Sequence, residues 1–263
     1  MPAFFDTHAH LDYPDYAQDL PDVVARAQAA GISKIISIGT SLESSRRAIQ
    51  LAEKFPNVFA AVGWHPTEVA GAPDDLRPAL RELAKHPKVV AIGETGLDYH
   101  RLPGGDHENA RYKQRQAGIF QQQLDVAIEF GLNCIIHQRD AFDDTLAQLK
   151  PVSGKVRGVF HCFGENADRM KQVIAISSLV SFTGIVTFKN GQNVRDTVAA
   201  TPPGKFMLET DCPYLAPVPY RGKRCEPAYV KEISETVAQV RNCPLEDLSA
   251  ATCQTALEFF HKL

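Results

Sequence analysis

The residues able to do chemistry stand at intervals along the whole chain: His8 and His10, His65, Glu94, His137, His161 and Asp211. The histidine pair lies in Phe4-Phe5-Asp6-Thr7-His8-Ala9-His10-Leu11-Asp12, where two aromatic residues begin a short β-prone run. Side chains two apart on a strand point to the same face, so His8 and His10 can converge on one cation. Two imidazoles from one strand need a carboxylate or further imidazoles to complete a metal site. Histidines beside an apolar strand also pack or hydrogen-bond without a metal, so the pair alone leaves both readings open. The later residues weigh in because each closes a short apolar run: His65 follows 58–62, Glu94 follows 89–93, His137 and His161 end 133–137 and 157–161, and Asp211 follows 206–210.

The elements that must position these groups alternate. Strand-like runs cover 4–8, 34–38, 58–62, 89–93, 133–137, 157–161, 179–182 and 206–210. Helical stretches fall between them. One spans about 20–30, opened by Pro21 and stopped by Gly31. Another runs to Phe55 behind a Thr40-x-x-Glu43 capping box. Others cover about 75–85, 111–130 (stopped by Gly131), 141–150, 168–176 and 194–200, with more helix beyond 227. Polar and proline-rich loops occupy about 99–110 and 212–227. Eight strands at this spacing predict an α/β fold, a single (β/α)8 TIM barrel over residues 1–263 with no internal domain boundary. Continuous apolar strands such as Val89-Val90-Ala91-Ile92 suit a parallel sheet buried on both faces. The reactive residues all fall at C-terminal strand ends, the catalytic face of such barrels.

That placement assigns roles. Two ions about 3.5–4 Å apart need a bridging group, and a carboxylate has two oxygens where imidazole has one free nitrogen. Glu94 is the expected bridge. His8, His10 and Asp211 are expected to hold one ion, and His137 and His161 the other. Mixed histidine and carboxylate donors accept Mg²⁺, Zn²⁺ or Mn²⁺, and also Co²⁺ or Fe²⁺. Water shared by two such ions supplies hydroxide at neutral pH. Asp211 is either a plain ligand or also the base that takes the water's proton; Glu94 and Asp211 are the candidate catalytic pair.

Composition narrows the classes. The 263 residues are 44% hydrophobic and 22% charged, ordinary for a water-soluble globular protein. A net charge of −3 supplies no global pull toward nucleic acid, so any such contact needs a local patch. The six cysteines show no Cys-x-x-Cys spacing, and no signal peptide or membrane-length apolar run is evident. A cytoplasmic monomer with free thiols and no membrane contact is expected.

The motifs also resemble the TatD family of metal-dependent deoxyribonucleases, a metallo-dependent hydrolase type of barrel. The matching runs are FDTHAHLD (5–12), VGWHP (62–66), IGETGLDYH (92–100), IIHQRDA (135–141), GVFHCF (158–163), FTGIVTFKN (182–190) and LETDCPYLAPVPYRGKRCEP (208–227). The resemblance implies the six metal ligands above, and adds His65 and Glu209 as substrate or phosphate contacts. It implies a metal-dependent deoxyribonuclease acting on DNA, single-stranded DNA included. Some relatives are associated with aminoacyl-tRNA deacylation. Cys225 and Thr255 stand where the family usually has Asn, and Gly164-Glu165-Asn166 replaces the more frequent Ser-Gly; none of these is a proposed ligand.

Beside the resemblance stand residues of double reading. Arg139, Arg221, Lys223 and Arg224 would suit phosphate, or else lie in a solvated loop or a structural ion pair. Trp64 and Tyr99 would stack a base or pack at the barrel mouth. Strand alternation would turn Cys162 and Cys212 away from the metal into packing. The leading function is hydrolysis of DNA phosphodiesters. Ester or C–N hydrolysis, as in deacylation of D-aminoacyl-tRNA, and a metal-stabilised binding protein without turnover are the alternatives.

Overall fold

The computed structural model describes residues 2–263. Eight parallel strands lie in chain order: β1 (Phe4–Ala9), β2 (Ile32–Ile38), β3 (Val58–Val62), β4 (Val89–Asp98), β5 (Asn133–Arg139), β6 (Gly158–Phe160), β7 (Leu179–Phe182) and β8 (Phe206–Leu208). Between them run α1 (Leu20–Ala29), α2 (Leu42–Lys54), α3 (Arg77–Ala84), α4 (Asp106–Phe130), α5 (Phe142–Leu149), α6 (Ala167–Ala175) and α7 (Gln192–Ala200). Beyond β8 come α8 (Val230–Arg241) and α9 (Leu245–Phe259). This is the (β/α)8 TIM barrel that the alternation predicts. β8 and β1 close it through the segment past β8. The Asp211 N–H donates to the His8 carbonyl and the His10 N–H to the Cys212 carbonyl, each at 2.9 Å.

Alternation along the strands separates two apolar layers. Ile36, Ile38, Val90, Ile135, Val159, Leu179 and Met207 cluster with Phe259 and Phe260 at the end of α9. Asn133, the first residue of β5, donates to the Phe259 carbonyl at 2.7 Å, so α9 plugs the N-terminal end of the barrel. Each such fully buried side chain contributes about 1.5–3 kcal/mol. The larger layer packs Ile35, Val62, Leu80, Phe120, Leu124 and Val237 between strands and helices. With one end plugged, only the C-terminal end is left for a site.

Several boundaries differ from the sequence reading. β4 does not stop at residue 93. Its pairing with β5 slips between Ile92 and Thr95 and then resumes to Asp98, leaving Gly93 and Glu94 in a bulge. Gly93 has φ +153°, and a Cβ there would sit 2.8 Å from the Ile135 side chain and carbonyl. Gly96 has φ +135°, and its Cβ would collide with the His137 carbonyl. Only glycine lets β4 pass this close to β5, and the bulge re-aims Glu94 toward the barrel axis. The cap of α2 is Ser41 rather than Thr40: Ser44 N–H donates to Ser41 Oγ, while Glu43 pairs with Arg47. α4 begins five residues earlier than the predicted 111, at Asp106. β8 ends at Leu208, which changes how Asp211 is aimed.

Candidate metal centre

β1 carries His8 to the barrel mouth and His10 follows just past its end, both buried, with their Nε2 atoms 3.3 Å apart. Two ring nitrogens edge to edge at that distance share one proton at most. Asp211 joins them from past β8. Its φ is +57°, so it is not in the extended conformation that alternation assumed. The Asp6 carboxylate latches the segment instead. It accepts the Thr210 N–H at 2.9 Å and the Thr210 hydroxyl at 2.6 Å. Held so, Asp211 Oδ1 lies 3.6 Å from His8 Nε2 and 3.4 Å from His10 Nε2.

Glu94 stands between two sets of imidazoles. Its Oε2 faces His8 at 3.4 Å and His10 at 3.6 Å. Its Oε1 faces His161 Nε2 at 2.7 Å, His137 Nδ1 at 2.9 Å and His65 Nε2 at 3.3 Å. Around one ion at bond lengths of about 2.1 Å, tetrahedral donors stand roughly 3.4 Å apart. His8 and His10 Nε2, 3.3 Å apart and each 3.4–3.6 Å from Asp211 Oδ1 and from Glu94 Oε2, match that spacing. His137 Nδ1, His161 Nε2 and Glu94 Oε1 stand closer, at 2.7–3.2 Å, and the groups compact enough to share one cation are His8, His10 and Asp211, then His8, Glu94 and His161, then His65, Glu94 and His137.

The carboxylates of the cluster hold its negative charge. Burial alone would raise the Glu94 carboxyl, but the imidazoles of His161, His65 and His8 outweigh it and hold it well below the usual carboxylate range. The Asp211 carboxyl is likewise lowered against burial, chiefly by His10. Burial pushes His8 and His65 below the ordinary imidazole value. His10, His137 and His161 rise despite burial, drawn by Asp211, Asp98 and Glu94 in turn.

Asp98 is the residue that sequence reasoning missed. Its Oδ2 meets His137 Nε2 at 2.9 Å, which turns Nδ1 toward Glu94. Gln116 clasps both backbone groups of Asp98 in turn. The signal was available in the even spacing of 94, 96 and 98 along a strand, had β4 been carried past residue 93.

Other expectations need correction. Glu209 does not face the cleft as a substrate contact: it is 1% exposed. Its Oε1 accepts the Cys162 N–H at 2.6 Å and lies 3.7 Å from His161 Nδ1, so it braces His161 from behind. Arg224 is not free for phosphate, because both terminal nitrogens bond Asp19 at 2.7–2.8 Å. Arg221 is exposed, but its guanidinium lies 3.7 Å over the Phe188 ring, outside the cleft walls. Trp64 donates to the Glu68 carbonyl and Tyr99 to Asp144, so both rings are engaged in local contacts. Cys212 is fully buried as expected, whereas Cys162, at φ +47°, lines the cleft instead of packing behind it. Arg139 stands exposed on the cleft wall. His65 lines it too, while also reaching Glu94.

The cleft has two lobes of about 650 and 620 Å³ that meet over this cluster. His137, Arg139, His161, Asp211 and Tyr214 border both.

The chain is similar to known proteins along nearly its whole length. The family model described as TatD related DNase matches residues 5–261. The metal-dependent hydrolase YabD of Bacillus subtilis is 37% identical over 259 residues, covering 97% of this chain and 98% of YabD. The 3'-5' ssDNA/RNA exonuclease TatD of Enterobacter lignolyticus is 35% identical over 254 residues, covering 94% of this chain and 95% of its own. Among solved structures, YjjV, a TatD homolog from Escherichia coli, superposes with a TM-score of 0.90 at 27% identity, covering 98% of both chains.

Proposed function

This chain belongs to the TatD family of metal-dependent hydrolases, and we propose that it is an exonuclease-type deoxyribonuclease cleaving DNA phosphodiesters, single-stranded DNA above all. The observation that carries the reading is the split of Glu94, one oxygen toward His8 and His10 and the other toward His137 and His161. On this reading His8, His10 and Asp211 hold one divalent ion, His137 and His161 a second, and Glu94 both. Mg²⁺, Zn²⁺ or Mn²⁺ would suit these donors. When bound, the ions supply Lewis-acid activation of water and of phosphate oxygens.

The chain's own groups do the rest. Asp211 turns Oδ1 to the imidazoles, which leaves Oδ2 to take a proton from water at neutral pH. Asp98 and Glu209 keep His137 and His161 in orientation. His65 sits where it can meet a phosphate oxygen or add a donor to the second half. Arg139 offers a fork for the neighbouring phosphate. The activity resides in one barrel domain spanning residues 1–263, working as a cytoplasmic monomer. Six free cysteines suit a reducing compartment, and among the described residues no helix is long and apolar enough to cross a membrane. Two of the relatives are named 3'-5' ssDNA/RNA exonucleases, so the deacylase and binding-only alternatives are not favoured.

The test is incubation of metal-reconstituted protein with end-labelled single- and double-stranded DNA beside an aminoacyl-tRNA. Chelation should abolish DNA cleavage, and a divalent ion should restore it. Cleavage that survives exhaustive chelation, or release of the aminoacyl group with DNA left intact, would overturn the reading.

Arg139 and Arg224 give a second expected result. In chelated protein, Arg139→Ala should weaken binding of a labelled single strand and lower the slope of log K against log salt by about 0.7. Arg224→Ala should leave that slope alone, since its charge is already spent on Asp19. Fluorescence anisotropy from low to moderate salt reads both. Equal loss of slope in the two variants would move the phosphate track to the loop after β8.

A further inference from the structure

We propose that Tyr13 and Tyr214 form a corner that receives the nucleobase beside the cleaved phosphate, and that this corner confines the site to unpaired strand. The proposal rests on the nuclease reading above and names the part of the substrate that the metal centre does not reach. Tyr214 is 55% exposed, the most exposed large apolar side chain among the described residues, yet it borders both lobes of the cleft. Tyr13 lines the first lobe and lies flat on His10, with centroids 4.7 Å apart and 22° between planes. The Tyr214 ring stands at 79° to Tyr13, 6.2 Å away. Two rings at nearly a right angle leave a flat molecule a face to stack on and an edge to abut, the arrangement that aromatic pairs favour.

Backbone bonds hold this corner in register with the metal centre. Tyr13 N–H donates to the His10 carbonyl at 3.3 Å, and Tyr214 N–H to the Asp211 carbonyl at 3.1 Å. Each ring therefore hangs three residues from a donor of the first half-site. A phosphate at the cluster would place its own nucleotide's base within reach of the corner. Each lobe falls within the volume range of small-ligand pockets, room enough for a nucleotide. A base reaches such a corner only by leaving its duplex stack, and that unstacking is easiest for a strand already single. Trp64 and Tyr99, the aromatic residues that sequence pointed to, are held by other partners. The corner is therefore made by Tyr214, inside the 208–227 run, and Tyr13, just past the 5–12 run, neither of which sequence spacing assigned a role.

The experiment has a kinetic arm and a binding arm. In the first, kcat/KM is measured on single strands that carry or lack the base at the last or next-to-last nucleotide. Wild type should lose about 5- to 150-fold on one of the abasic strands, the worth of one stacked base. Tyr214→Ala should show that loss already on the intact strand and lose no more than about twofold further when the base is removed. Tyr214→Phe, which keeps the ring, should keep the wild-type ratio between intact and abasic strands. Equal losses for Tyr214→Ala on intact and abasic strands, or a wild type indifferent to either base, would overturn the corner.

In the binding arm, chelated protein is titrated into a strand with 2-aminopurine at the same position. Wild type and Tyr214→Phe should quench its fluorescence, and Tyr214→Ala should not. Quenching that depends on Tyr214 with no cleavage of any DNA would uphold the corner and sink the nuclease reading. Absence of quenching by wild type would sink the corner whatever the hydrolysis shows.

Discussion

Glu94→Ala should strip both halves of the centre at once. Glu94 offers one oxygen to each imidazole set, at 3.4–3.6 Å on one side and 2.7–3.3 Å on the other. His10 and His137 each face one side only. Reconstituted Glu94→Ala is therefore expected to bind fewer ions than either His10→Ala or His137→Ala, which should each retain one. Its kcat should fall by more than the about 10²–10⁴-fold that a single proton-transfer group is worth, since the source of activated water goes with the ions. Glu94→Gln sharpens the result. An amide keeps one acceptor oxygen and turns an N–H donor to the other side, so at most one half should stay filled. Metal analysis of the dialysed variants, beside kcat on one end-labelled strand, reads both effects. Glu94→Ala with two ions still bound, or with the same content as His10→Ala, would remove it from the bridge.

Asp211→Asn is the second large effect, and its signature differs. Asn keeps the size and a carbonyl oxygen that can still face His8 and His10, but an amide cannot take a proton at neutral pH. Metal content should hold near that of wild type while kcat falls by about 10²–10⁴-fold, the range for a lost general base. The neighbouring Cys212→Ser is the contrast. Cys212 is fully buried beside Tyr16 and Asp6, and a hydroxyl there costs mainly stability. Its kcat should stay within a few fold while the denaturant midpoint drops. If Asp211→Asn turns over normally, Asp211 is a ligand without a base role, and another group must take the proton.

Parity along a strand is a local property, and it was legible. Residues 8 and 10 share a face because the backbone of any strand repeats every two residues. Likewise, the eight apolar runs could be read as parallel strands because burial on both faces demands continuous apolar sequence. The motifs around His8, Glu94, His137, His161 and Asp211 were enough to point to the TatD family, which the family match across residues 5–261 bears out.

What happens where a strand ends or slips is not local, and only the folded chain decided it. Glu94 reaches the axis because two glycines let β4 bulge against β5, a close approach that depends on residues about forty positions away. Asp211 faces the histidines through a left-handed residue latched by Asp6, 204 positions from Thr210, rather than through the extended alternation the sequence suggested. The same reasoning separates the charged residues. The resemblance implied Glu209 as a substrate contact, and Arg224 read as one because a cation beside a metal motif suits a polyanion, but burial behind His161 and a partner in Asp19 had already claimed them. Sequence spacing specifies which face a side chain shares with its neighbours on one strand. Whether that side chain is free for a substrate depends on what packs against it from elsewhere, and that is set by tertiary contacts no local pattern encodes.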